Sequence, residues 1–215
     1  MNLRGGDVGR MISYDVYIFA FLISLGVFAL GVFLGSLLDA HHIETFSEEL
    51  SNVNERMNTI ILMGQLENDS SLCELYKEEF EDVSEAMERV GYKLWFMEEE
   101  RGVSDVSLKK KYFLLETEAM YLARIMNERC DTNYKIVMYF YSNSNCSSCR
   151  SQGDTLFLVT KDTGIRVYSF DGDLGSGVVE ILKKKYGIRT YPTIVIDGEV
   201  YEGYLSAEEL QRLLH

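Results

Sequence analysis

The sequence predicts an α/β domain carried on an all-α stalk behind a single membrane-spanning helix. Three observations predict it. Residues 16–38 form an uncharged apolar run. Residues 39–133 place apolar side chains at alternating steps of three and four. Beyond residue 134, short β-branched and aromatic runs alternate with amphipathic helical patterns, the signature of a mixed α/β sheet domain.

The chain has 215 residues, of which 47% are hydrophobic. That is enough for a core even after a membrane span is set aside. The net charge of −13 is unevenly spread. Residues 39–133 hold 22 acidic and 10 basic residues, against 10 and 9 in residues 134–215. An acidic middle repels phosphates, so nucleic acid is not an expected partner. The charge reads instead as the solvated face of helices.

A cytoplasmic tail is expected over residues 1–15 and a membrane anchor over 16–38. The run VYIFAFLISLGVFALGVFLGSLL has 23 residues between Asp15 and Asp39. At the helical rise it spans about 34 Å, enough to cross a bilayer. A cleavable leader has a shorter apolar core and a small-residue cleavage site, and the flank LLDAHH provides none. Arg4 and Arg10 precede the span, and no Lys or Arg follows it before Arg56. The N-terminus is therefore expected in the cytoplasm and the bulk of the chain outside, in a single-pass cell-membrane protein. Gly31 and Gly35 form a GxxxG, a pattern that can bring two membrane helices close; small residues are ordinary in membrane helices, so the motif leaves a homodimer open without predicting it.

An acidic helical bundle or coiled-coil stalk is expected over residues 39–133. Ile43, Phe46, Leu50, Val53, Met57 and Ile60 make the first seam. NDSS (68–71) interrupts it, and Ser71 with Glu74 forms a capping box for a second helix. That helix carries Leu72, Tyr76, Phe80, Val83, Met87, Val90, Leu94 and Met97. RGVSD (101–105) turns the chain at Gly102. A third helix follows with Leu108, Tyr112, Leu115, Ala119, Leu122 and Met126 as its seam. Cys73 and Cys130 lie at nearly equal distances either side of Gly102. An antiparallel hairpin brings them to the same end, so a Cys73–Cys130 disulfide is expected there. His41 and His42 read as polar flank beside the membrane.

An α/β domain is expected over residues 134–215. KIVMYFY (135–141) is a strand, followed by the loop SNSN and then CSSC at 146–149. A helix over 147–160, a strand over 165–170 and a helix over 176–186 closed by Gly187 come next. TIVI with DGEVYEG reads as a hairpin turning at Asp197-Gly198. Ser206 and Glu209 form a capping box on the last helix.

The order of CSSC after the first strand, Tyr191-Pro192-Thr193 before a hairpin, and a final amphipathic helix resembles the thioredoxin fold. Pro192 is the only proline in the chain. The resemblance covers residues 134–215. It implies that Pro192 is cis and that its loop, with Tyr191, lies against the CxxC and offers backbone groups to an extended substrate. It also implies that Cys146 is the nucleophile and Cys149 the resolving thiol. A cysteine beside a helix N-terminus has its thiolate favoured by the unpaired N–H groups, and the thiolate is the species that attacks a disulfide. The sequence departs from the family at Phe140. Thioredoxins carry a buried carboxylate six residues before the first cysteine, and Phe140 cannot move a proton. The family's Trp and Gly-Pro around the pair are absent as well.

A zinc site needs about four ligands. The four cysteines could supply them only if the stalk folded onto the C-terminal domain. No metal and no cofactor are expected. The expected function is a membrane-anchored thiol–disulfide oxidoreductase. Its partners are protein thiols and disulfides as substrates, together with a membrane redox partner that recharges it. Two alternatives stay open. One is a non-enzymatic assembly or adaptor protein with a thioredoxin-like binding module on a coiled-coil stalk. The other is an electron relay in which Cys73 and Cys130 form a second redox pair.

Overall fold

A computed structural model describes residues 14–66, 72–144 and 146–214. Arg4 and Arg10 of the tail and Ser71 of the first capping box lie outside them, as do the side chains of His41 and His42. The chain divides into two compact units, residues 1–49 and 50–215.

In the first unit, helix α1 (Tyr14–Leu66) begins. Its stretch Tyr17–Gly35 is long and apolar enough to cross a membrane, with a mean hydropathy of 2.5 and none of it buried. An exposed helix that is apolar all round is suited to lipid or to removal as a leader.

The second unit takes the rest of α1 and everything after it. Here α1 buries Val53, Met57 and Ile60. Helix α2 (Cys73–Trp95) buries Tyr76, Phe80, Val83, Met87, Val90 and Leu94 on one face. A π-helical turn, Phe96–Glu100, ends it, and Gly102 reverses the chain at φ +62°. Asp105 then caps helix α3 (Val106–Arg129) by accepting the Leu108 N–H at 2.9 Å. The two helices form the expected hairpin, packed along their length. Where they approach, a Cβ on Gly91 would come within 3.2 Å of the Tyr112 ring.

Strands β1 (Ile136–Tyr141), β2 (Arg166–Asp171), β3 (Thr193–Ile196) and β4 (Glu199–Glu202) form one mixed sheet in the order β2-β1-β3-β4. β1 runs parallel to β2 and antiparallel to β3, and β3 and β4 make a hairpin. Asp197 (φ +49°) and Gly198 (φ +98°) turn that hairpin. Two positive φ values suit the right-handed twist of the strands.

Side chains alternate across the sheet. Val137, Tyr139, Ile194 and Ile196 face helices α4 (Cys149–Thr160) and α6 (Ala207–Leu214), packing on Leu156, Val159, Leu210 and Leu214. Phe140 and Phe170 stack at 5.4 Å, and Phe113 of α3 packs on Phe170 at 5.7 Å. On that side α3 lies against β1, β2 and helix α5 (Gly177–Tyr186).

This explains why α3 buries more than its seam. Phe113, Glu116, Glu118, Ala123 and Ile125 are covered as well, because α2 takes one face and the sheet another. Glu116, fully buried, accepts the Ser169 N–H of β2 at 2.6 Å. β2 is an edge strand, and this contact occupies one of its free donors. Gly187 closes α5 in the left-handed region at φ +68°. Ser206 and Glu209 bond reciprocally at the start of α6.

Candidate functional site

β1 ends at Tyr141 and α4 begins at Cys149, so the cysteine loop sits at the C-terminal end of the central strand. Two aspartates at the end of β2 and just past it hold the loop. The Asp173 Oδ2 atom accepts from Ser142 Oγ (2.8 Å), Asn143 N (3.1 Å), Ser144 N (3.2 Å) and Ser144 Oγ (2.7 Å). The Ser144 and Ser142 hydroxyls lead in holding this carboxyl below its usual value. Asp171 accepts from Asn143 Nδ2 at 2.7 Å.

Cys146 and Cys149 are joined by a disulfide, with Cα atoms 5.4 Å apart. Cys146 is half-buried and Cys149 is 5% exposed. The α-helix starts at Cys149, two residues later than the sequence pattern suggested. Cys146 therefore stands just outside the helix N-terminus, where the first-turn N–H groups face it.

The Tyr139 hydroxyl lies beneath the pair and donates to the Cys149 carbonyl oxygen at 2.5 Å. Burial, and then the charge of Asp154, push Tyr139 above the ordinary tyrosine range. Phe140, where the related family carries a carboxylate, faces the other side of the sheet and is fully buried. The side chains that the strand turns toward the cysteines are tyrosines, Tyr139 and Tyr141.

The Tyr191–Pro192 peptide bond is cis. Pro192 is buried and leads into β3, whose Thr193 pairs with Phe140 near the same end of the sheet. Tyr191 packs against Gly172 so closely that a Cβ there would overlap its ring. Gly172 in turn donates its N–H to the Tyr141 carbonyl at 2.7 Å. The cysteine loop, the Asp171–Asp173 turn and the Tyr191–Pro192 loop are thus tied together at one end of the sheet.

A cleft of about 680 Å³ opens beside the disulfide. Its lining includes Cys146, Cys149, Tyr139, Tyr141, Phe157 and Trp95. Trp95 comes from the last turn of α2 and is half-exposed. The helical hairpin therefore forms one wall of the site. Reading the sequence missed Trp95, Asp171 and Asp173. No local pattern marks them, since only the tertiary fold brings them to the loop.

Cys73 and Cys130 form the second disulfide, with Cα atoms 5.6 Å apart, at the start of α2 and the end of α3. The opposite end of α3 carries Lys109, which bonds Asp171 beside the site. Cys130 lies about 30 Å further along that helix. Within one molecule the two pairs thus lie toward opposite ends of α3. Among the described residues, no group of three or more His, Cys, Asp or Glu side chains is placed to hold a metal ion.

The model of the thioredoxin-like domain family matches residues 126–215. Solved structures with similarity to the chain include thioredoxin-2, a component of the malaria parasite protein secretion machinery. It is 26% identical, over 39% of this chain and 82% of that one, with a TM-score of 0.33. A thioredoxin-like protein is also 26% identical, over 37% and 99%, with a TM-score of 0.30. Chloroplastic thioredoxin z is 21% identical, over 42% and 84%, with a TM-score of 0.33. No curated protein is significantly similar to the chain. Residues 126–215, with a mixed sheet flanked by helices and a disulfide at the head of α4, form a thioredoxin-like domain.

Proposed function

We propose that the protein is a membrane-anchored thiol–disulfide oxidoreductase that works through Cys146 and Cys149. The observation that carries this reading is the Cys146–Cys149 disulfide at the head of α4, with the first cysteine reachable and the second covered. In the reducing direction, the Cys146 thiolate attacks one sulfur of a substrate disulfide and the other leaves as a thiolate. Cys149 then attacks the Cys146 sulfur. The second substrate thiol is released, and Cys146–Cys149 forms. The oxidising direction reverses these steps. The cis Tyr191–Pro192 loop supports a role in holding an extended substrate beside Cys146.

The apolar helix of α1 supports an anchor, and Arg4 and Arg10 before it support a cytoplasmic N-terminus. The catalytic domain then faces an oxidising compartment, where disulfides persist. Its partners are protein thiols and disulfides, with a membrane redox partner to recharge it.

Phe140 favours a second reading, in which the domain binds partners without turning over, because no carboxylate lies where the family keeps one. The full chain in detergent distinguishes them. Exchange of a model disulfide faster than with free glutathione supports the enzyme. A rate no faster than that of free thiol leaves the adaptor.

A further inference from the structure

A buried ionic chain joins the helical hairpin to the cysteine loop. Lys109, in the first turn of α3, is 4% exposed. Its ammonium lies 2.9 Å from Glu98 Oε1 on the π-helical turn and 3.2 Å from Asp171 Oδ2 at the end of β2. The same Asp171 oxygen accepts from Asn143 Nδ2 at 2.7 Å, and Asp171 Oδ1 accepts the Asp173 N–H at 3.0 Å. Asp171 is 3% exposed. Asn143 stands three residues before Cys146. Glu98 and Asn143 line the same cleft as the two cysteines.

The fold does not need these charges for its core. Phe113, Phe140 and Phe170 already fill the space between α3 and the sheet. Taking an ammonium and a carboxylate out of water is costly, and an apolar pair of the same size commonly serves stability as well. A buried pair does fix one arrangement of the elements that carry it. Here those elements are the hairpin and the redox loop.

We propose that Lys109 is a positioning residue for Cys146, acting through Asp171 and Asn143, so that the hairpin sets how readily the cysteine pair is reduced. The inference rests on reading Cys146–Cys149 as a redox pair. With Lys109 in place, the Asp171 charge is neutralised while Asp171 holds the loop. Without Lys109, an uncompensated carboxylate remains one side chain away from the loop. A nearby negative charge disfavours the Cys146 thiolate and therefore the reduced form.

The test equilibrates the full chain, in detergent, with graded mixtures of reduced and oxidised glutathione. Two glutathione thiols reduce Cys146–Cys149 and leave as one glutathione disulfide. Mass spectrometry reads the fraction reduced. Lys109→Met should shift the equilibrium constant about fivefold or more toward the protein disulfide. Lys109→Arg should stay within about twofold of the parent. In an Asp171→Asn background, Lys109→Met should add less than it does in the parent, the remainder coming from Glu98. A folded Lys109→Met protein with an unmoved constant overturns the proposal, as does a shift that persists undiminished in the Asp171→Asn background. If Lys109→Met does not fold, Asn143→Ala cuts the same chain at its exposed end, and an unmoved constant there is equally fatal. A parent pair that never reduces overturns the proposed function and this inference together. A parent pair that titrates normally, unmoved by Lys109→Met, overturns the inference alone.

Discussion

The Tyr139 hydroxyl and the Cys149 carbonyl oxygen are 2.5 Å apart, a hydrogen bond from the central strand to the first residue of the helix behind the disulfide. Tyr139 holds its proton well past the ordinary tyrosine range because it is buried and faces Asp154. The bond therefore survives across the whole pH range in which cysteine thiols titrate. Tyr139→Phe keeps the ring and removes the donor. Chemical denaturation should show a loss of about 1 kcal/mol. The Cys146–Cys149 exchange rate should fall while its thiolate pH midpoint stays put, since tyrosine supplies a fixed dipole and no titrating proton. A moved midpoint would mean that Tyr139 takes part in proton transfer.

The two cysteines of the pair differ in exposure, and their variants should differ in kind. Cys146→Ser removes the reachable sulfur and should abolish exchange with a model disulfide. Cys149→Ser keeps the attack and removes the release, so mixed disulfides on Cys146 should accumulate. Non-reducing gels with mass mapping read both. Undiminished exchange by Cys146→Ser sinks the proposed function.

Much of this architecture was legible in the sequence because it rests on periodicity and punctuation. The threes and fours of Tyr76, Phe80, Val83 and Met87 mark the buried face of α2, and Asp197-Gly198 marks the hairpin turn. The same logic failed for α3, where Glu116 and Glu118 look like surface residues. They are covered because the helix is packed on two sides, and one of them bonds the edge strand. The site was legible to the extent that it is local. Cys146, Cys149, Tyr191 and Pro192 belong to short motifs. Trp95, Lys109, Asp171 and Asp173 are scattered over nearly eighty positions, and only the packing of the hairpin on the sheet assembles them. The resemblance puts Phe140 at the position of the family's buried carboxylate, six residues before Cys146. Strand alternation turns it away from the cysteines and puts Tyr139 and Tyr141 there instead.

The Cys73–Cys130 disulfide closes the open end of the helical hairpin, with a chain separation of 57 between its halves. Replacing both cysteines with serine should cost about 2–4 kcal/mol through the greater freedom of the unfolded chain. The Cys146–Cys149 equilibrium with glutathione should not change, because the staple is about 30 Å along α3 from the site. A coupled shift in that equilibrium would revive the relay reading and assign Cys73–Cys130 a redox role.

Gly172 leaves room for the Tyr191 ring beside the cis peptide bond. In Gly172→Ala the new methyl occupies that space, and Tyr191 must swing away. Lys183 donates to the Gly172 carbonyl at 3.3 Å, so the turn cannot simply drift. Exchange with protein substrates should fall several-fold, roughly what a misplaced substrate-positioning group costs. Exchange with glutathione, which needs little of the loop, should change much less. Equal losses on both substrates would show that the substitution acts on the cysteines and not on a substrate-holding loop.

Glu118 gives the helical bundle a pH dependence of definite sign. Glu118 is 7% exposed and Glu79 is 2% exposed. Arg56 bonds Glu79 Oε2 through Nε at 3.0 Å. Among the described residues, Glu118 Oε2 and Glu79 Oε1 have no hydrogen-bond partner. Burial, and then the charge of Glu79, raise Glu118 from 4.5 to about 7. Burial raises Glu116 as well, against the opposing hydrogen bonds from Ser169 and Tyr112. A carboxyl whose folded value is raised binds its proton more tightly in the native state. Between about 4.5 and about 7 the folded chain thus holds more protons than the unfolded one, and stability must fall as pH rises through that window. Glu118→Gln replaces the titrating group with a neutral one of the same shape. Denaturation midpoints taken from pH 5 to 8 should decline less steeply in the variant than in the parent. The variant should be the more stable of the two above pH 7. Parallel curves would mean that Glu118 does not titrate differently in the folded and unfolded chain across this window.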